Sequence, residues 1–357
     1  MKKQLLFFAP VRWSPRNIMR HHHFASALAG AYDLGYIDPV RSFVGKKAAA
    51  ETAPPFVVRL PGLLPFSRRF PAINTLNYKR AAALALEKSG FSAEGGILWL
   101  TEPYQLPLAD ILKPSLLVYD CADKFALLYG GSRRAGEMDA ALMKRADILF
   151  VSSLALYDES AGLSGNLHYI SNGCDYEKFA AAGTGNPGNK KAVIGFVGAL
   201  GSWVDAELIR GAARSFPDAL IRLVGANFQG RAYAGVPNIE LTGPLEYEKL
   251  PGIIKNFDVC ILPFRKEPLT RYVNPVKLYE YLASGRPVVS TDFTDFGGAS
   301  GLIGRASGPL AFAAALEAAM KDKDKEAAQK RMEYASRYDW KLLSSRVAEI
   351  LIGGKTL

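Results

Sequence analysis

Cysteine and histidine are scarce in this sequence, with three of the former and four of the latter. Cys121, Cys174 and Cys260 show no C-x-x-C spacing and sit among apolar residues, so they read as buried free thiols in a reducing compartment. His21, His22 and His23 are consecutive and would point in different directions from a helix, while His168 has no ligand spacing to them. No metal site is therefore expected. Long apolar runs are missing as well. Nothing approaches the roughly 20 residues that span a bilayer, and the opening MKKQLLFFAPVRW loses its apolar run at Pro10. That run is too short for the core of a signal peptide and fits a first buried strand better. Repeats and low-complexity tracts are absent, so a folded cytoplasmic protein is expected.

Acids are also in deficit, 34 against 44 Lys and Arg, which leaves a net charge of +10. An anionic partner follows: nucleic acid, a phosphorylated small molecule or an acidic membrane. Between residues 41 and 80 the bases Arg41, Lys46, Lys47, Arg59, Arg68, Arg69, Lys79 and Arg80 face a single acid, Glu51. Phe43, Phe56, Phe66, Phe70, Tyr78 and the stretch LPGLLPF are interleaved with them. Mixed basic and apolar residues suit the inner membrane surface better than a nucleic-acid groove, although a solvated charged face would carry the same composition.

At 357 residues the chain exceeds what one core usually serves, and its 49% apolar and 22% charged residues are an ordinary globular balance. Short apolar runs (LLFFAP, ILWL, LLVYDC, DILFVSS, LHYISNG) alternate with amphipathic or alanine-rich stretches, the pattern of a parallel sheet covered on both faces. The small residues, glycines and proline of 180–191 suggest a linker. The alternation then restarts with AVIGFVGALG, ALIRLVG, NIELTG, DVCILPF and PVVSTD. Two doubly wound, Rossmann-like α/β domains facing each other across a cleft are expected, at 1–180 and 192–335, with a helix at 336–357 that crosses back to the first. Ligands of such folds bind beyond the carboxyl ends of the strands.

Two places after strands stand out in the second half. Gly198 and Gly201, in GFVGALGSWVD, permit close backbone approach, and Asp205 fits a helix N-cap; this suits a diphosphate, or simply a tight strand-to-helix turn. In NPVKLYEYLASGRPVV, Asn274 and Pro275 look like a helix start, and Lys277 and Glu280 share one face of its first turns. An ammonium group there reaches a phosphate while the carboxylate accepts ribose hydroxyls. A surface i,i+3 ion pair has the same spacing.

The stretch NPVKLYEYLASGRPVV resembles the nucleotide-sugar signature of GT-B glycosyltransferases, near their broad family-4 group. YISNGCDYEKF resembles the N-G-x-D-x-x-x-F segment that ends the first domain of these enzymes, and RADILFVSS and GFVGALGSWVD resemble its neighbours. RHHHFASALA and YDCADKF are similar to segments of bacterial exopolysaccharide and teichuronic-acid-type transferases. The resemblance implies transfer of a sugar from a nucleotide diphosphate, UDP ahead of GDP, to a saccharide or polyprenyl-diphosphate-linked acceptor, with no cofactor, metal or nucleic acid involved. It assigns Glu280 to ribose, Lys277 to the diphosphate, and Gly198 and Gly201 to giving the phosphate room, with Asn274 opening that helix. Many retaining relatives carry a second glutamate, which would fall at Tyr272, so retention does not carry over. Arg265, Lys266, Arg271 and Tyr272 are then candidates for the phosphate or an acidic donor sugar. Asp120 and Asp123, after the strand LLVYDC, are candidate bases, or an N-cap and a first-turn acid; His22 or His23 is a candidate sugar or phosphate ligand. A nucleotide-sugar epimerase or hydrolase, or a non-catalytic basic binding protein, are the alternatives.

Overall fold

The computed structural model of the protein describes residues 2–14, 18–38, 54–60, 64–92, 94–181, 188 and 190–353. The chain forms two units, Met1–Ser171 with Ser344–Leu357, and Asn172–Leu343. The helix Trp340–Gly353 starts in the second and ends in the first.

The first unit is built on a seven-stranded sheet: β1 (Gln4–Phe8), β2 (Asp33–Ile37), β3 (Val57–Val58), β4 (Ile97–Leu100), β5 (Leu116–Cys121), β6 (Ile148–Val151) and β7 (Leu167–Tyr169), in the order β3-β2-β1-β4-β5-β6-β7. Every pairing is parallel. The runs LLFF, ILWL, LLVYDC and ILFV are buried throughout, which is why they read as continuous apolar stretches. Register sets Phe7 opposite both Tyr36 and Trp99, and the rings stack with centroids 5.6 and 5.0 Å apart. Trp99 in turn stacks on Phe150 at 5.4 Å, so a file of aromatics crosses the sheet.

The second unit has six parallel strands: β8 (Val193–Val197), β9 (Leu220–Val224), β10 (Ile239–Gly243), β11 (Val259–Leu262), β12 (Val288–Thr291) and β13 (Gly304–Ala306), in the order β10-β9-β8-β11-β12-β13. Strand order reverses between β1 and β4 in the first unit and between β8 and β11 in the second. Such switch points open a crevice at the strands' carboxyl ends. Residues 172–180 pack in the second unit, although the domain expectation put them in the first. The cause is backbone pairing: Cys174 N–H donates to the Tyr338 carbonyl and Trp340 N–H to the Cys174 carbonyl, both at 3.0 Å.

Candidate functional site

In the second unit the helix Val276–Ala283 follows β11; Pro275 caps its start and Gly285, at φ 70°, turns the chain beyond its end. Tyr281 fastens this helix to the switch point, its hydroxyl oxygen accepting from the Val197 N–H at 2.8 Å. Its neighbour Glu280 is fully buried. Lys277 Nζ donates to Glu280 Oε2 at 2.5 Å, while Glu280 Oε1 is buried with no hydrogen-bond partner among the described residues. The i,i+3 ion pair therefore exists, but not as a surface pair. One of its carboxylate oxygens is left desolvated and unmatched, which is costly in a folded protein. Burial pushes the Glu280 carboxyl above its ordinary pKa, and Lys277 works against that shift.

The segment Asn172–Phe179 forms the seat of this helix. Asn172 Nδ2 donates to the Asn274 carbonyl at 2.7 Å. A Cβ on Gly173 would stand 2.1 Å from the Tyr338 carbonyl oxygen, so glycine is required by close approach. Phe179 is fully buried and packs edge-on against Tyr247, with ring centroids 5.8 Å apart. Lys178 and Lys277 place their ammonium groups 5.0 and 5.9 Å from the centroid of the same Tyr247 ring. Burial, then the charges of Glu280 and Asp175, raise the Tyr247 phenol.

The glycine turn has a different geometry from the one expected. Gly198 lies at the end of β8, where its carbonyl oxygen would be 1.9 Å from a Cβ on Gly225, and Gly225 has φ 146°. The two turns fit because both lack side chains. A Cβ on Gly201 would stand 2.4 Å from the Trp203 indole. Trp203 thus fills the space a side chain at position 201 would need, so glycine is required there by close approach. Asp205 does cap its helix, accepting from the Leu208 N–H at 3.1 Å. Arg265 and Lys266 line a separate recess with Asp205, Asp292 and Ser307, and neither Lys277 nor Glu280 lines it. Arg265 approaches Asp205 at 3.9 Å. Tyr272 ends a short 3-10 turn, 5.9 Å from the Arg271 guanidinium carbon.

In the first unit, Asp120 ends up in a structural role. Arg20 Nε donates to both of its carboxylate oxygens at 3.1 Å and Nη2 to Oδ1 at 2.9 Å, with both side chains buried. Arg20 Nη1 also donates to the Ile170 and Ser171 carbonyls at 2.6 and 2.9 Å. The expectation of Asp120 as a base is corrected: both oxygens are held in a fork that ties β5 to the end of β7. His22 is corrected on the same ground. Its Nδ1 accepts from the Met19 N–H at 3.0 Å, and Nε2–H donates to the Arg12 carbonyl at 3.1 Å. Burial lowers its pKa to about 4, which keeps the ring neutral. Asp123 is different, because no side-chain donor is recorded for its carboxylate among the described residues. Burial, then the charge of Asp120, raises its pKa.

Residues 188–322 match the family model described as glycosyl transferases group 1. Over 231 residues the chain is 29% identical to TuaH of Bacillus subtilis (strain 168), a protein assigned by name to teichuronic acid biosynthesis as a glycosyltransferase; the match spans 58% of each chain. The whole fold is similar to sucrose-phosphate synthase (tll1590) from Thermosynechococcus elongatus, with TM-score 0.72, 14% identity and 99% of both chains covered. It is also similar to Anabaena Alr3699/HepE in complex with UDP and glucose, with TM-score 0.65, 16% identity, and 98% of this chain and 99% of that one covered. The fold is GT-B. The sequence resemblance to GT-B glycosyltransferases near the teichuronic-acid type is borne out.

Within this GT-B chain the helix start Asn274–Glu280 and the Asn172 segment are brought together, whereas Arg265 and Lys266 stand apart in their own recess. Sequence reading did not find Arg20 as the partner of Asp120, nor Tyr247 beside Lys277, because both pairings are long-range. Of the basic segment, Arg41, Phe43, Lys46, Lys47 and Glu51 lie outside the described residues. Leu64, Phe66, Phe70 and Leu76 lie within them and are exposed.

Proposed function

We propose that the protein transfers a hexosyl group from a nucleotide-diphosphate sugar, UDP-linked ahead of GDP-linked, to a lipid-linked saccharide in envelope polysaccharide biosynthesis. The observation that carries this reading is the unmatched, buried Oε1 of Glu280, midway along the helix Val276–Ala283 that Tyr281 fastens to the β8–β11 switch point. A carboxylate so placed accepts from a ribose hydroxyl, which supplies the missing donor. Lys277, partly buried beside it, moves its ammonium group from Glu280 to the diphosphate. Gly198 and Asn274 shape the approach, and Arg265, Lys266 and Tyr272 serve the phosphate or the donor sugar.

Similarity to TuaH and to a protein in complex with UDP and glucose supports the substrate class. Leaving-group charge is stabilised by Lys277 and helix N-termini, so transfer proceeds without a metal. The exposed Leu64, Phe66, Phe70 and Leu76, interleaved with Arg68 and Arg69, support peripheral attachment to the inner face of the cytoplasmic membrane. The test is a thermal-shift panel of UDP, GDP, ADP and dTDP on the wild type and Glu280→Ala. A selective shift lost in the variant is expected; no shift with any nucleotide would sink the reading. Incubation with the donor alone separates transfer from epimerisation or hydrolysis.

A further inference from the structure

The first unit carries a further recess at the amino end of β2, the opposite end of the sheet from the switch-point crevice. Its origin lies in a strand that is short. β3 has only two residues, Val57 and Val58, which pair with Tyr36 and Ile37. Asp33, Leu34 and Gly35 therefore run on with no strand on that side among the described residues. The helix Pro71–Ser89 stops at Gly90, whose φ of 70° turns the chain. That turn sets Phe91 over Gly35, where a Cβ would lie 3.5 Å from its ring. The helix Arg20–Ala31 ends alongside, and Tyr32 closes it by donating its N–H to the Leu28 carbonyl at 2.8 Å.

The space left between these ends amounts to about 400 Å³. That falls within the roughly 300–1,000 Å³ of small-molecule sites. Leu34, Phe56, Val58 and Phe91 give it apolar walls, which the small Ala29 completes. Three polar groups line it without being fully engaged by the fold. Tyr32 is only 6% exposed, and its hydroxyl has no hydrogen-bond partner among the described residues. A buried phenol left in that state is a cost that a ligand removes. Burial raises the Tyr32 phenol above its ordinary pKa, so it stays a donor near neutral pH. Lys2 and Lys88 are the other two. Their ammonium groups each donate once to a backbone carbonyl, Gly30 at 2.6 Å and Arg59 at 2.8 Å, and an ammonium has three donors.

We infer that this recess binds a small apolar carboxylate, with its alkyl or aryl body against Leu34, Phe56 and Phe91 and its oxygens accepting from the Tyr32 hydroxyl and the two lysines. The charges select a single negative one. Lys2 and Lys88 share the lining with one acid, Asp33, so two cations stand against one anion. A diphosphate would overfill that balance and meet repulsion from Asp33. Acetate has no body to cover the apolar walls, and an alcohol brings no charge for the lysines. The inference does not rest on the function proposed above, because the recess lies at the other end of the sheet from the crevice.

The test is isothermal titration calorimetry on the full chain with octanoate, cinnamate, octanol, acetate and geranyl diphosphate, and thermal unfolding of each variant as the check on folding. Octanoate or cinnamate should bind the wild type at least about fivefold more tightly than the other three. Tyr32→Phe should weaken that binding about fivefold, and Lys2→Met combined with Lys88→Met about tenfold or more. Both lysines are exposed, so the double variant should melt as the wild type does. Ala29→Trp should fill the recess and abolish binding; if it does not fold, the lysine double variant decides alone. The inference is overturned if neither carboxylate binds, if octanol binds as tightly, or if geranyl diphosphate binds more tightly. A folded lysine double variant that binds like the wild type overturns it equally.

Discussion

Asp120→Asn separates a structural from a catalytic reading of the most fully bonded carboxylate in the first unit. The substitution keeps the size of the side chain but removes the charge that Arg20 meets with three contacts of 2.9 to 3.1 Å. Both side chains are almost fully buried, at 2% and 4% exposure, so solvent screening offers little relief. Breaking such a pair from one side strands a buried charge and costs about 3–5 kcal/mol. For a unit of this size each kcal/mol moves the melting temperature by roughly 2–4 °C, so a drop on the order of 6–20 °C is expected. Replacing both partners, Arg20→Met with Asp120→Leu, should recover a large part of that loss, because no buried charge then remains. Thermal unfolding followed by circular dichroism reads all three proteins. If Asp120→Asn melts within about 2 °C of wild type yet loses turnover, Asp120 is catalytic and the reasoning is wrong.

Gly173→Ala should destabilise the second unit and weaken UDP binding together, since its Cβ would sit 2.1 Å from the Tyr338 carbonyl oxygen and displace the seat of the Glu280 helix; chemical denaturation and a UDP titration check it. Asp139 accepts from the Tyr119 hydroxyl at 2.5 Å, and burial raises its pKa to about 6 from 3.8. The folded state therefore holds this proton more tightly than the unfolded one, so its stabilising contribution is complete below pH 3.8 and is lost as pH rises through about 6. Asp139→Asn should remove that slope, worth roughly 2–3 kcal/mol, in denaturation curves across pH 4 to 6. If Lys277 and helix N-termini carry the leaving-group charge as proposed, chelation with EDTA should leave transfer unchanged in an assay of UDP release; activity that returns only with added divalent cation contradicts this.

The parallel sheets were readable because their strands are buried on both faces and so appear as unbroken apolar runs. β2 was missed: Asp33 and Gly35 interrupt its run, and Gly35 is small because Leu6 would stand 3.2 Å from a Cβ there. β13 has three residues, too few for any periodicity. At the helix Val276–Ala283, the proline start and the Lys277–Glu280 spacing are local, and the sequence displays them. What lies across the chain from them is not local. Asn172 reaches Asn274, Phe179 reaches Tyr247, and Arg20 reaches Asp120 only through folding. His22 shows the same limit from the other side, since backbone groups of Met19 and Arg12 occupy its ring, and backbone partners leave no mark in sequence.

The central claim is that the open oxygen of Glu280 receives a ribose hydroxyl. The most direct measurement compares the affinities of UDP and 2′,3′-dideoxy-UDP for the wild type and for Glu280→Ala by isothermal titration calorimetry. A hydrogen bond to a charged group of this kind is worth about 1.5–3 kcal/mol, so the wild type should bind UDP roughly 10- to 100-fold more tightly than the dideoxy analogue. The variant should bind both alike. Equal affinities in the wild type, or a preference for UDP that survives in Glu280→Ala, would contradict the account.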